Sequence, residues 1–230
     1  ECLDLPDKVY MRREIELSPE QKEAYHTMKK EALMIVENNL FSTQSVLTQL
    51  MRLQQVVAGS LKDAGGNTVL LPNNRVKEVL GLLEEVQRKA VLFAVFRTDI
   101  EELERAIGEK FGPESVASFY GGTSGKDRQR ILEDFQDTDH PLRFFVSNPH
   151  TGGRGLTLTA ADTMIFYSNS YDLELRLQAE DRIHRIGQDN RCTYVDLVVP
   201  GTVDEKILDA LRKKVKISNE VLGEVKEWML

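Results

Sequence analysis

Gln178, Arg182 and Arg185 stand at i, i+4 and i+7 in the segment Gln178-Ala179-Glu180-Asp181-Arg182-Ile183-His184-Arg185-Ile186-Gly187-Gln188. On a helix that spacing puts one amide and two guanidinium groups on one face. Arginine stays ionised and can bond two oxygens at once, so two forks side by side suit a phosphate that gains negative charge during transfer. The same residues also fit a solvated helix in which Asp181 pairs with Arg185 and Glu180 with His184 at i+4, worth only tenths of a kcal/mol. Spacing alone does not separate the two readings.

A second segment, Ser147-Asn148-Pro149-His150-Thr151-Gly152-Gly153-Arg154-Gly155-Leu156, follows directly on an apolar strand pattern. Glycine removes the Cβ atoms that would block a close approach to backbone amides, and a turn after a strand in an open α/β sheet faces the crevice where ligands bind. By itself Gly-Gly-x-Gly is equally a plain turn. Gly121-Gly122-Thr123-Ser124-Gly125-Lys126-Asp127 is not a phosphate loop. Gly121 and Gly125 are too close together, and Asp127 stands where a magnesium-holding Ser or Thr is needed. The scattered His residues and the pair Cys2 and Cys192 lack metal-ligand spacing, so no structural metal is expected.

These segments need a frame. From Arg75 onward helix and strand patterns alternate, the signature of a parallel sheet flanked by helices. Helix 75–87 precedes strand 91–96, helix 99–110 precedes strand 116–120, and helix 124–135 precedes strand 144–147. Strands 164–167 and 193–199 bracket a helix over 173–185. Upstream the period differs. Residues 9–11 and 14–17 alternate as an extended segment. Ser18 then caps a helix, with Pro19 at its first position and Gln21 closing a capping box. That helix runs to about residue 38, a second covers 42–58, and 59–66 reads as a loop. A last helix starts at Thr202, with Glu205 as its capping partner. The fold class is therefore α/β: a parallel sheet with flanking helices and an N-terminal helical insertion.

Composition bounds the rest. The chain has 230 residues, 41% of them hydrophobic and 29% charged, enough for a sizeable core without staples. No apolar run approaches the roughly 20 residues of a membrane span, and the cysteine usage fits a reducing, cytoplasmic setting. With 37 acidic and 30 basic residues the net charge is -7, so any contact to nucleic acid must be local.

The ordered set of segments resembles the second motor lobe of the Swi/Snf-like ATPases of helicase superfamily two, over nearly the whole chain. Gln178–Gln188 is similar to the family's motif VI, Q-A-x-D-R-x-H-R-I-G-Q, at every fixed position. Ser147–Asp162 resembles motif V, Ala90–Arg97 motif IV, and Pro200-Gly201-Thr202-Val203-Asp204-Glu205-Lys206-Ile207 the family's closing segment. Asn148-Pro149-His150-Thr151 lengthens motif V, with Thr157 where Asn is usual, and Ser170-Tyr171-Asp172 replaces the usual Trp-Asn-Pro; these departures from the common remodeller pattern imply a bacterial or phage branch.

The resemblance implies a RecA-like fold divided into a bridge from lobe one (1–17), a helical insertion (18–74), the lobe proper (75–200) and a C-terminal extension (201–230). It implies ATP with magnesium, both held mainly on a lobe one outside this chain. Arg182 and Arg185 then stabilise charge moving onto the γ-phosphate, Gln178 orients them, and Gly155 lets the backbone approach the nucleotide. Arg97, Thr123, Ser147, Thr151 and Arg154 hold a double-stranded DNA backbone. The partners implied are that DNA and the other lobe, with no membrane, in a bacterial or phage-infected cytoplasm, or in a nucleus if the source is eukaryotic.

Overall fold

A computed structural model of the chain describes residues 5–37, 43–63, 65–121, 123–152 and 155–213. In chain order the elements are β1 Lys8–Glu14, α1 Pro19–Glu37, α2 Thr43–Ala58, β2 Ser60–Lys62, β3 Thr68–Leu70, α3 Asn74–Glu85, β4 Lys89–Phe93 and α4 Arg97–Phe111. There follow β5 Val116–Phe119, α5 Gly125–Gln136, β6 Phe144–Ser147, the short α6 Pro149–Gly152, β7 Ala161–Phe166, α7 Leu173–Glu180, β8 Cys192–Val198 and α8 Val203–Arg212.

Six strands form one sheet in the order β1-β8-β7-β4-β6-β5. The pairs β5 with β6, β6 with β4, β4 with β7, and β7 with β8 are parallel. On the β1 edge, Cys192 N–H donates to the Asp7 carbonyl (3.0 Å) and Ile15 N–H to the Val198 carbonyl (2.8 Å), so β1 runs the same way. This is the predicted RecA-like arrangement of a parallel sheet with flanking helices. A strand covered on both faces has no reason to alternate, and β4 is buried at every residue of Lys-Ala-Val-Leu-Phe.

The chain forms two compact units. One comprises Glu1–Arg13, Val76–Ser170 and Glu174–Leu197. Its core gathers Val91, Phe119, Phe135, Phe145, Met164, Ile183 and Tyr194 from the sheet and from the segments packed on it. Phe145 lies 4.8 Å from Phe119 in an edge-to-face contact and 5.6 Å from Phe135, centroid to centroid. The other unit comprises Glu14–Arg75, Tyr171–Leu173 and Val198–Leu230. Here the predicted capping box forms in full: Gln21 N–H donates to Ser18 Oγ and Ser18 N–H to Gln21 Oε1, both at 3.1 Å. The Gln21 amide, buried, also donates to the carbonyls of Val56 (2.9 Å) and Val57 (3.2 Å) and so caps the end of α2. In the same unit Arg75 forms a buried ion pair with Asp204.

Three local expectations change. The segment 59–66 is not a plain loop but opens an antiparallel hairpin, with Ser60 opposite Leu70 and Lys62 opposite Thr68. Its strands are three residues each and largely exposed, which leaves no apolar period to read. The helix expected over 173–185 ends at Glu180, and 181–187 continues as turns. The capping partner Glu205 accepts from Gly201 N–H (3.0 Å), while Thr202 Oγ1 accepts from Asp204 N–H (3.3 Å).

Because Phe145 is fully buried between two rings, Phe145→Ala leaves a cavity in the sheet's core and should cost about 3–5 kcal/mol. A urea titration followed by circular dichroism checks this; an unchanged midpoint would show that the aromatic cluster does not hold the sheet.

Candidate functional site

The unwinding of α7 sets the geometry of the arginines. The last helical turn gives way to looser bonds, Arg182 N–H to the Ala179 carbonyl (3.1 Å) and His184 N–H to that of Glu180 (3.4 Å). The Arg182 carbonyl is claimed instead by Leu158 N–H (2.9 Å), where the chain enters β7. Gln188, only 4% exposed, ties the turn down: its amide donates to the carbonyls of Ala161 (2.8 Å), Ile183 (3.0 Å) and Thr159 (3.2 Å). Arg182 and Arg185 therefore sit on a turn held by tertiary bonds rather than on a regular helical face.

Both guanidinium groups reach one acceptor. Arg182 Nη1 and Arg185 Nη1 each donate to the Leu156 carbonyl at 3.3 Å, and Arg185 Nη1 also donates to Thr157 Oγ1 (3.2 Å). Arg182 Nε bonds the Gln178 carbonyl (2.9 Å). The ion pairs of the solvated-helix reading do not form: Glu180 binds Arg176 (2.8 Å) and Asp181 binds Lys8 (3.4 Å). Among the described residues neither Arg182 nor Arg185 has an ion-pair partner. Burial, and then the nearby positive charge of Arg185, pulls the Arg182 pKa below its ordinary value. The result is a pair of like charges braced by neutral oxygens, a poor arrangement in isolation and a good one for an incoming anion.

Gly155 lies one residue before that shared carbonyl, at φ +71°, with nothing within 4 Å of where a Cβ would stand. The left-handed backbone favours glycine, and the space beside it is open. Gln178 is close in sequence but its amide donates to Glu174 (3.2 Å), so its side chain does not touch either arginine.

The remaining predicted residues gather at the opposite end of the strands. Arg97, at the start of α4, lies over the Tyr120 ring (4.6 Å to the centroid) and pairs with Glu101 (2.7 Å), which raises its pKa. Tyr120 N–H donates to Thr123 Oγ1 (3.2 Å), so Arg97 and Thr123 meet through one tyrosine beyond the C-terminal ends of β4 and β5. Thr151, in α6, donates its N–H to the Asn148 carbonyl (3.0 Å), and Asn148 Nδ2 in turn donates to the Val95 carbonyl (2.5 Å). Ser147 is fully buried with its hydroxyl donated to the Phe119 carbonyl (2.8 Å), so it is a strut beneath this surface and not an exposed contact. Arg154 lies outside the described residues. The segment 147–156 thus does not face one crevice. Its start is at the C-terminal end of β6, and its end joins the arginines near the starts of β7 and β8.

Sequence reasoning missed three further residues. Arg176, 7% exposed, donates to Asp196 (2.5 Å), Asn169 (2.6 Å) and Glu180 (2.8 Å) and lies 3.4 Å from the centroid of the Phe166 ring. Burial opposes its charge, but Asp196 and Glu180 more than offset this and its pKa rises. Tyr10 donates to Glu180 (2.7 Å), and Gln188 makes the bonds given above. The signal for Arg176 was its position three before Ala179 and seven before Ile183, on the face that is buried.

Comparison with known proteins adds the family. Residues 73–187, half of the chain, match the helicase conserved C-terminal domain. The "Putative ATP-dependent helicase/translocase YwqA" of Bacillus subtilis is 28% identical over 96% of this chain and 24% of its own length. The SWI/SNF chromatin-remodeling complex subunit snf22 of Schizosaccharomyces pombe is 26% identical over 95% of this chain and 14% of its own. A solved Sulfolobus solfataricus SWI2/SNF2 ATPase core in complex with dsDNA superposes with a TM-score of 0.75 at 24% identity, covering 98% of this chain and 48% of that one. The chain spans between a tenth and a quarter of the length of curated relatives matched along nearly all of it. Among the described residues no helix is long and apolar enough to cross a membrane. The chain belongs to the helicase conserved C-terminal domain family, with the RecA-like fold seen in the C-terminal half of SWI2/SNF2 ATPase structures.

Proposed function

We propose that this lobe closes an ATP site whose other half lies on a first lobe, with Arg182 and Arg185 as the groups that meet the developing charge, and that it holds a DNA backbone at the other end of its sheet. The observation that carries the reading is the pair of guanidinium groups on the Leu156 carbonyl with no carboxylate partner among the described residues. An evolved surface helix neutralises such charges cheaply at i+4, and here the available carboxylates, Glu180 and Asp181, are drawn to Arg176 and Lys8 instead.

The residues fit the group they are proposed to meet. A polyphosphate offers acceptor oxygens in the fork geometry that arginine matches, and the left-handed turn at Gly155 leaves open space beside the arginines. ATP, bound with magnesium on the first lobe, would supply the transferable phosphoryl group. Arg182, half-buried and braced through Nε, keeps one fixed orientation, while Arg185 is exposed and held by the Leu156 carbonyl and the Thr157 hydroxyl. Preorganised charge of this kind lowers a barrier without reorganising at the moment of reaction. Gln178 contributes its carbonyl to Arg182. On the other surface Arg97, Thr123 and Thr151 contact the sugar-phosphate track, with Ser147 supporting from beneath; Arg154 belongs to the same reading and lies outside the described residues. The division into bridge 1–17, insertion 18–74, lobe 75–200 and extension 201–230 belongs to the same reading.

In a protein carrying both lobes, Arg185→Ala should lower DNA-stimulated ATP turnover by roughly 10³–10⁵, about 4–7 kcal/mol, with ATP affinity mostly kept. Asp181→Ala, which removes only an exposed ion pair to Lys8 worth under about 1 kcal/mol, should stay within a few-fold of the wild-type rate. Equal loss in both variants would return the segment to a purely structural role. For the second surface, DNA affinity measured against salt should fall steeply, and Arg97→Ala should reduce the log–log slope by about one. An unchanged slope would remove Arg97 from the DNA contact.

A further inference from the structure

Residues 6–10 grip the arginine turn through contacts separate from the Leu156 carbonyl. Six contacts from residues 6–10 converge on residues 180–184 and on β8 beside them. Tyr10 Oη donates to Glu180 Oε2 (2.7 Å). Lys8 Nζ lies 3.6 Å from Glu180 and 3.4 Å from Asp181. His184 Nε2 meets the Pro6 carbonyl (2.7 Å), and Cys192 N–H donates to the Asp7 carbonyl (3.0 Å). The Tyr10 and Tyr194 rings stack at 5.2 Å between centroids, and Tyr194 Oη donates to the Glu180 carbonyl (3.0 Å).

Glu180 is the junction. One of its oxygens takes Tyr10 and Lys8 from β1, and the other takes Arg176, which is anchored on Asp196 of β8 and on Asn169 beyond β7. The arginine turn begins at the next residue. We infer that residues 6–10 and the buried Arg176–Glu180 pair form a strap that positions Arg182 and Arg185, so that Tyr10 and Arg176 are positioning residues for the turn.

Two physical points support this. First, a partly buried carboxylate at the end of a helix is costly without donors, and Glu180, 4% exposed, has its donors from two different elements, so neither alone fixes it. Second, the turn lacks a regular helical ladder over 181–187, so its shape depends on tertiary bonds. Gln188 supplies those on one side. The strap supplies those on the other. A displacement of 6–10 would therefore act on the arginine turn directly, through Glu180, Asp181 and His184.

The inference rests on the proposed role of the arginines, and the test separates the two. Tyr10→Phe removes one hydroxyl from a half-exposed ring and keeps the stack on Tyr194, so the fold survives. In the 230-residue chain, amide hydrogen exchange over 181–187 should rise about tenfold, the worth of one hydrogen bond to a carboxylate, while Cys192–Val198 stays protected. In the protein with both lobes, the same variant should lose about tenfold in kcat for ATP at unchanged KM, and Arg176→Lys, which cannot bond three acceptors from a planar fork, should lose more. Unchanged exchange over 181–187 overturns the strap. So does raised exchange with a wild-type kcat while Arg185→Ala is inactive. If exchange rises and Arg185→Ala retains its rate, it is the arginine reading that fails, and the strap is reduced to a structural tie.

Discussion

Two guanidinium groups share one carbonyl oxygen, and that crowding organises this part of the molecule. Like charges that close repel, and the usual remedy is a carboxylate between them. Here the carboxylates next in sequence are committed elsewhere, Glu180 to Arg176 and Tyr10, Asp181 to Lys8. The arginines are held by the Leu156 and Gln178 carbonyls and by a turn that Gln188 and Leu158 pin to the entry of β7. Neutral oxygens orient a cation without cancelling it. The charge remains available to an external anion, and the stability that ion pairs would have added is given up at this point.

The sheet explains how the two proposed functions can share one small unit. Parallel strands send all their C-terminal ends one way, and the loops beyond β4, β5 and β6 bring Arg97, Tyr120, Thr123 and α6 together there. The connection from β6 to β7 then runs the length of the sheet, carrying Ser147 at one end and Leu156 at the other. A single segment therefore touches both surfaces. In the proposed mechanism this gives a physical link between backbone contact and the arginine turn, with the strap on β1 as a second input.

Much of this was legible in the sequence, for local reasons. Ser18-Pro19-Glu20-Gln21 and Ser124 mark helix starts because capping involves only neighbouring backbone groups, and both form as expected. The αβ alternation from Arg75 carried the sheet, since fully buried strands read as apolar runs. What did not show depends on distant partners. Nothing in Asp181–Gln188 breaks a helix before Gly187, and α7 stops because Leu158 takes the Arg182 carbonyl and Gln188 reaches three others. The family resemblance made Ser147 a backbone contact, but it is fully buried and its hydroxyl donates to the Phe119 carbonyl. Arg176 was not singled out, although its place on the Ala179–Ile183 face put it inside.

The central claim is that Arg182 and Arg185 are oriented before any anion arrives and then take it directly. Nitrogen-15 NMR of the arginine side chains, in the protein with both lobes, tests this by following the Nε–H signals of Arg182 and Arg185 as ADP with aluminium fluoride is added. The account predicts an Arg182 signal already slow to exchange before addition, because its Nε–H is bonded to the Gln178 carbonyl, and marked shifts of both signals on addition. Signals of both arginines that exchange rapidly beforehand and do not respond to the added anion would contradict it.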